Sequence, residues 1–142
     1  MFHLAGIPTY ILLAELAGNR VLHGNLPRPD YPRALREVAG RDWAQRAELT
    51  LDYASTAHAA HARITACLGM IGVGAAEYAH AAAATAGRWV TNDKNLLTTG
   101  GMDHVDHLVR ALPCDPTSEQ MQALVVSIAD LGRQAVAQAG VG

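Results

Sequence analysis

The chain has 142 residues, half of them apolar, and a formal net charge of −2 with its seven histidines neutral. This length suits one domain with a single core, and the near-neutral charge gives no electrostatic basis for binding nucleic acid or an anionic membrane. Cys67 and Cys114 are too few for a disulfide framework, and no apolar run reaches the roughly 20 residues of a membrane span. We therefore expect one soluble, cytoplasmic helical domain over residues 1–142.

The first predicted elements are a helix and a proline-rich connector, which together occupy residues 1–28. Pro8 suits the first turn of a helix. The apolar residues between Tyr10 and Val21 fall on one face of that helix, which is expected to fade near His23–Gly24. The segment GNLPRPDYP follows and holds three prolines, so it is predicted to be extended.

Residues 29–112 are predicted to form the central helices. Asp30 is the expected N-cap of a short helix with Pro32 in its first turn and Gly40 at its end. A second helix starts at Asp42. The helical pattern then continues too far for one ordinary helix, so a break is predicted at His58–Ala62.

The next helix is rich in alanine and glycine and should end at Gly87. Small side chains let neighbouring helices approach closely, so this helix is predicted to be the centre of the bundle. A short helix is expected over Met102–Leu112, followed by an amphipathic helix over residues 117–139 that opens with a Thr117–Gln120 capping box. With no strand-like alternation, the pattern predicts an all-α bundle of five to six helices.

Two groups of residues are candidates for metal binding. Glu77 and His80 form a Glu-x-x-His pair, which di-iron bundles use twice, together with further glutamates. None of the other glutamates has a histidine at that spacing. A second group of histidines and carboxylates suits zinc or iron if it assembles in space; it comprises His58, His61, Asp103, His104, Asp106 and His107. We predict no metal site and keep a metal-binding bundle as an alternative.

Motifs of common catalytic sites are missing from the sequence. It contains no G-x-S-x-G elbow, no Walker A loop and no G-x-G-x-x-G fingerprint. The one cluster suited to ligand binding follows Gly87, where Arg88, Trp89, Asn92 and Lys94 bring two cations, an indole and an amide together. These groups can hold a phosphate and stack on a base. Alternatively, the tryptophan anchors a helix corner while the cations stay solvated or cap helix C-termini.

Three segments resemble the helical C-terminal domain of bacterial minimal nucleotidyltransferases, the group that includes aminoglycoside-modifying adenylyltransferases. They are Ala5–Pro29, Trp43–Tyr53 and, as the most specific, Ala79–Leu97 with the sequence AHAAAATAGRWVTNDKNLL. The resemblance implies a bundle related to HEPN domains. In the intact enzymes this bundle packs against the catalytic core and helps to form the substrate and nucleotide cleft.

The resemblance also implies where a ligand would bind. It places Arg88, Trp89, Asn92 and Lys94 in the family's characteristic corner, with His80 earlier on the same helix. The family's catalytic Gly-Ser loop and magnesium-binding Asp-x-Asp pair are both missing from this sequence. Ribonucleolytic HEPN domains use an Arg followed, after four to six residues, by a His, and none of the arginines here has that spacing.

These observations favour a non-catalytic domain that binds a ligand or a partner. It could complete a separately encoded nucleotidyltransferase core, in which case Mg-nucleotide is the expected cofactor; on its own we expect no cofactor. The alternative is a structural or regulatory bundle that forms a homodimer through the alanine-rich helix or the C-terminal amphipathic helix and binds no small ligand. Neither nucleic acid nor a membrane is an expected partner.

Overall fold

The computed structural model describes residues 3–4 and 7–141, with side chains from residue 13 onwards. This part of the chain holds six α-helices and one ladder of two-residue strands, which pair antiparallel. The all-α class and the predicted five to six helices are therefore confirmed. In chain order the elements are β1 (His3–Leu4), β2 (Ile7–Pro8), α1 (Thr9–Gly18), α2 (Arg33–Tyr53), α3 (Ile64–Thr85), α4 (Leu96–Thr99), α5 (Val105–Arg110) and α6 (Ser118–Ala139).

The first helix is shorter than predicted. It begins directly after Pro8, which lies in β2 and not in the first helical turn as predicted, and it ends at Gly18 instead of near His23–Gly24. The Asn19 side-chain amide donates to a backbone carbonyl of the last turn of α1, and so satisfies one acceptor exposed at the helix end. Residues 19–32 contain no helix, which confirms the predicted connector.

Helix α2 corrects three predictions. Its N-cap is Pro32, not Asp30, and the helix runs unbroken through Gly40 to Tyr53. No second helix therefore starts at Asp42. Gly40 is buried, and a Cβ placed on it would lie 2.5 Å from Thr85 Oγ1 on α3. The glycine therefore permits close contact between two helices and does not end one.

The predicted break at His58–Ala62 is confirmed. The chain leaves α2 through a π-helical turn at Ala54–His58 and a 3₁₀ turn at Ala59–His61. Ala62 then adopts a left-handed conformation with φ of 50°, which reverses the chain into α3.

Helix α3 lies at the centre of the bundle, as predicted, and contacts α2, α4 and α6. Small residues make this possible. A Cβ on Gly74 would lie 2.7 Å from Leu51 Cδ2 of α2, and a Cβ on Gly100, just after α4, would lie 2.6 Å from Ala79 Cβ. The alanine run Ala81–Ala84 is buried, so this stretch of α3 packs inside the monomer.

The C-terminal helix confirms its predicted start. Thr117 accepts a hydrogen bond from the Gln120 backbone N–H at 3.3 Å, and the Gln120 side chain accepts one from the Thr117 N–H at 2.9 Å. The short helix expected over Met102–Leu112 is present as α5, which is shorter and spans Val105–Arg110. No helix among the described residues is both long and apolar enough to cross a membrane. The α6 stripe faces the core, where its buried members are Met121, Leu124, Val125 and Ile128.

Candidate functional site

The candidate corner begins where α3 ends in a Schellman motif. Gly87 has φ of 68°, its N–H donates to the Ala84 carbonyl at 2.9 Å, and the Arg88 N–H donates to the Ala83 carbonyl at 2.8 Å. Only glycine adopts this conformation without strain. A Cβ at Gly87 would also lie 3.0 Å from Cζ of Arg36 on α2, so the turn holds the corner tightly against the first turn of α2.

Trp89 anchors this corner to the N-terminal connector. Its half-buried ring packs on Tyr31, with ring centroids 4.6 Å apart and planes inclined by 49°. Burial raises the pKa of the Tyr31 hydroxyl, and the nearby Arg36 charge offsets part of that rise. The indole therefore packs against a separate segment of the chain, and this contact with Tyr31 could not be predicted from local sequence.

The polar residues of the corner are exposed and partly fixed. Arg88 Nη1 donates to the backbone oxygen of Thr99 at 3.0 Å, so the guanidinium caps the C-terminus of α4. Asn92 Oδ1 accepts from the Lys94 backbone N–H at 3.1 Å, which forms an Asx turn. The loop that carries Lys94 is thus held in shape by its own hydrogen bonds.

A groove of about 230 Å³ lies beside Lys94. Its lining is mainly acidic, with three carboxylates and one ammonium group, although Asp106 also pairs with Arg110 at 3.9 Å. This excess of negative charge repels a phosphate group that has no bound metal ion. A phosphate group that carries a metal ion has less negative charge and is repelled less. The lining residues are Asp93, Lys94, Leu97, Thr98, Asp103 and Asp106.

His80 lies on another part of α3, roughly 10 Å before Gly87 by the helix rise. Its imidazole stacks on Trp43 of α2 with centroids 4.7 Å apart and planes at 20°. The Arg46 guanidinium carbon sits 5.2 Å from the same indole. Burial lowers the pKa of His80, and the Glu77 carboxylate offsets part of that shift. The structure therefore places His80 in a separate cluster with Trp43.

The metal candidates do not converge within the described residues, where no group of three or more His, Cys, Asp or Glu side chains could hold a metal ion. His58 packs edge-on against Tyr53, at a centroid distance of 5.1 Å. His104 and His107 line a different groove of about 370 Å³ with Asp130 of α6. The structure thus separates the two histidine groups whose meeting a metal site would require.

A polar network that the sequence did not predict joins α2, α3 and α6. The Tyr78 hydroxyl donates to Glu48 Oε1, and Arg133 Nη1 donates to Glu48 Oε1 and Oε2 at 2.9 and 3.1 Å. Arg133 Nη2 also donates to Asp130 Oδ1 at 2.7 Å. Burial raises the pKa of Glu48, but the hydrogen bonds from Tyr78 and Arg133 outweigh it and the net pKa is lowered. The network holds three helices in register.

No protein-family model, curated protein or solved structure matches the chain. The resemblance to nucleotidyltransferase C-terminal domains therefore depends on the three sequence segments alone.

Proposed function

We propose that this protein is a non-catalytic binding module, and that the corner formed by Arg88, Trp89, Asn92 and Lys94 contacts a nucleotide. The observation that carries the proposal is the set of contacts around this exposed corner. The Schellman turn at Gly87, the Arg88–Thr99 hydrogen bond and the Trp89–Tyr31 contact fix it on three sides. A binding loop gains affinity when its shape is fixed before the ligand arrives.

The charges of the corner indicate the form of the nucleotide. Arg88 and Lys94 supply donors for phosphate oxygens, but Asp93, Asp103 and Asp106 line the groove next to Lys94. A magnesium-bound triphosphate carries less negative charge than a free one and suits these walls better. The magnesium ion would arrive with the nucleotide.

The fold and partner in this proposal follow from the sequence resemblance. A HEPN-like bundle that completes a separately encoded nucleotidyltransferase core would present this corner to the nucleotide cleft. The sequence itself offers neither the Gly-Ser loop nor the paired aspartates of such a core. Catalysis would then belong to the partner, because metal-assisted nucleotidyl transfer needs carboxylates placed around the triphosphate.

The proposal is tested by fluorescence titration of a Trp43→Phe variant, in which Trp89 is the only indole. Adding ATP with magnesium should change Trp89 emission, and ATP without magnesium should bind more weakly. Lys94→Ala should weaken binding by about 1–3 kcal/mol, the range for one charge-assisted contact. Arg63→Ala removes the same charge at the far end of α3 and should leave affinity unchanged.

A second variant tests the predicted effect of the groove carboxylates on nucleotide binding. Asp103→Asn removes one carboxylate from the groove, so ATP without magnesium should bind it a few-fold more tightly than the parent. His80→Ala should not alter affinity, because His80 lies in the Trp43 cluster. No response of Trp89 to ATP at millimolar concentration, with or without magnesium, would refute the proposed binding site.

A further inference from the structure

One side of α2 presents large apolar side chains to solvent. Gly40, Ala47 and Leu51 face the core, and the opposite side carries an apolar stripe that we call the α2 stripe. Its side chains form two pairs near the two ends of about 27 Å of helix, and exposed polar residues occupy the middle of the same face. Single exposed apolar residues are ordinary, but an aligned set on one helix indicates an interaction surface. Its members are Leu35, Val38, Leu49 and Tyr53, which are 37–64% exposed.

The α2 stripe is complementary to itself when two copies run antiparallel. In the register that sets Leu35 opposite Tyr53, Val38 falls beside Leu49. The same register sets Asp42 opposite Arg46, and both of these residues are exposed, with Asp42 3.6 Å from the likewise exposed Arg41 of its own helix. A parallel arrangement would instead place Asp42 against Asp42, and like charges directly opposed are destabilising.

We propose that the α2 stripe is an interface with a second copy of this chain, the two α2 helices packing antiparallel about a two-fold axis. Each copy contributes four apolar side chains, and two Asp42–Arg46 ion pairs form across the axis. Such an interface is isologous and closes on itself, so it yields a dimer and not a filament.

The α2 stripe is a different surface from the two that the sequence suggested for a homodimer, which are the alanine-rich helix α3 and the amphipathic helix α6. The alanine run of α3 is buried in the monomer, and the apolar stripe of α6 faces the same core. Those faces are occupied, whereas the α2 stripe is exposed. A contact along one helix is smaller than the roughly 1,600 Å² of a standard interface, so the dimer should dissociate on dilution. This interface is independent of the corner after Gly87.

Sedimentation equilibrium of the full chain from low to high micromolar concentration tests the interface. The parent chain should shift from monomer to dimer over this range. Leu49→Glu should weaken dimerisation by at least about ten-fold, since it places a charge in the apolar contact with Val38 of the second copy. The matched control is Val126→Glu on α6, which also places a glutamate at an exposed apolar position. This variant should dimerise like the parent.

Charge exchange tests the antiparallel register. Asp42→Arg should weaken the dimer, because it faces Arg46 of the second copy, and the double variant Asp42→Arg/Arg46→Asp should restore it. Circular dichroism melting of each variant confirms that the monomer is folded. A chain that stays monomeric at high micromolar concentration would overturn the proposal, as would a dimer insensitive to Leu49→Glu. Failure of the double variant to restore dimerisation would overturn the antiparallel arrangement.

Discussion

Substituting Gly132 with alanine should destabilise the protein although it removes a glycine from a helix. Gly132 lies in α6 against the ring of Tyr78, and a Cβ built on it would lie 2.7 Å from Cε2 of that ring. Tyr78 is 1% exposed, and its hydroxyl is bonded to Glu48. The ring therefore has little room to move away from an added methyl group.

The expected size follows from two opposing terms. Overpacking of a well-filled core lowers the free energy of unfolding by about 1–3 kcal/mol. Replacing glycine by alanine within a helix raises it by about 1 kcal/mol. Gly72→Ala is the matched control, because Gly72 lies in α3 and an added Cβ would have no atom within 4 Å apart from the local backbone of its own helix. It should gain about 0.5–1 kcal/mol of stability. The difference between the two variants isolates the packing cost at Gly132.

Urea unfolding followed by circular dichroism measures both variants. The slope of the free energy against urea should stay constant, so that changes in midpoint report changes in stability. Gly132→Ala should unfold at lower urea concentration than Gly72→Ala by the equivalent of about 1–3 kcal/mol. If both substitutions stabilised the protein equally, the close packing of α6 on Tyr78 would be wrong.

Two further predictions concern pH and catalysis. The folded-state pKa of His80 is lowered, so the unfolded chain binds more protons as pH falls below about 6.5. Stability should therefore decrease in that range, and His80→Gln should reduce the slope of stability against pH; an unchanged slope would contradict burial of the imidazole against Trp43. The isolated chain should transfer no label from nucleoside triphosphates to RNA, protein or aminoglycoside acceptors in the presence of magnesium. Robust transfer that is lost on mutating Glu77 or Asp93 would show catalysis in this chain.

Local signals in the sequence predicted the fold well. The Thr117–Gln120 capping box involves residues three apart, and the break at His58–Ala62 follows from the excessive length of the helical pattern. Gly40 was misinterpreted because its role depends on Thr85, which lies 45 residues later in the chain. A glycine at a helix crossing and a glycine at a helix end look alike in sequence.

The candidate site was predictable only where its residues are neighbours in the chain. The cluster from Arg88 to Lys94 is local, and its position after a glycine-terminated helix was expected. Tyr31 and the carboxylates of Asp103 and Asp106 reach the same region from separate segments. Such contacts are set by tertiary packing, which helical periodicity does not specify.

Nuclear magnetic resonance can map nucleotide binding to the corner after Gly87, because it reports the location of binding and not only its existence. The ¹⁵N-labelled chain would be titrated with magnesium-bound ATP while every backbone amide is followed. We predict that the perturbed amides cluster at residues 87–94 and that Lys94→Ala greatly reduces the shifts. Shifts that cluster around Trp43 and His80 instead, or no shifts at millimolar ATP, would contradict nucleotide binding at this corner.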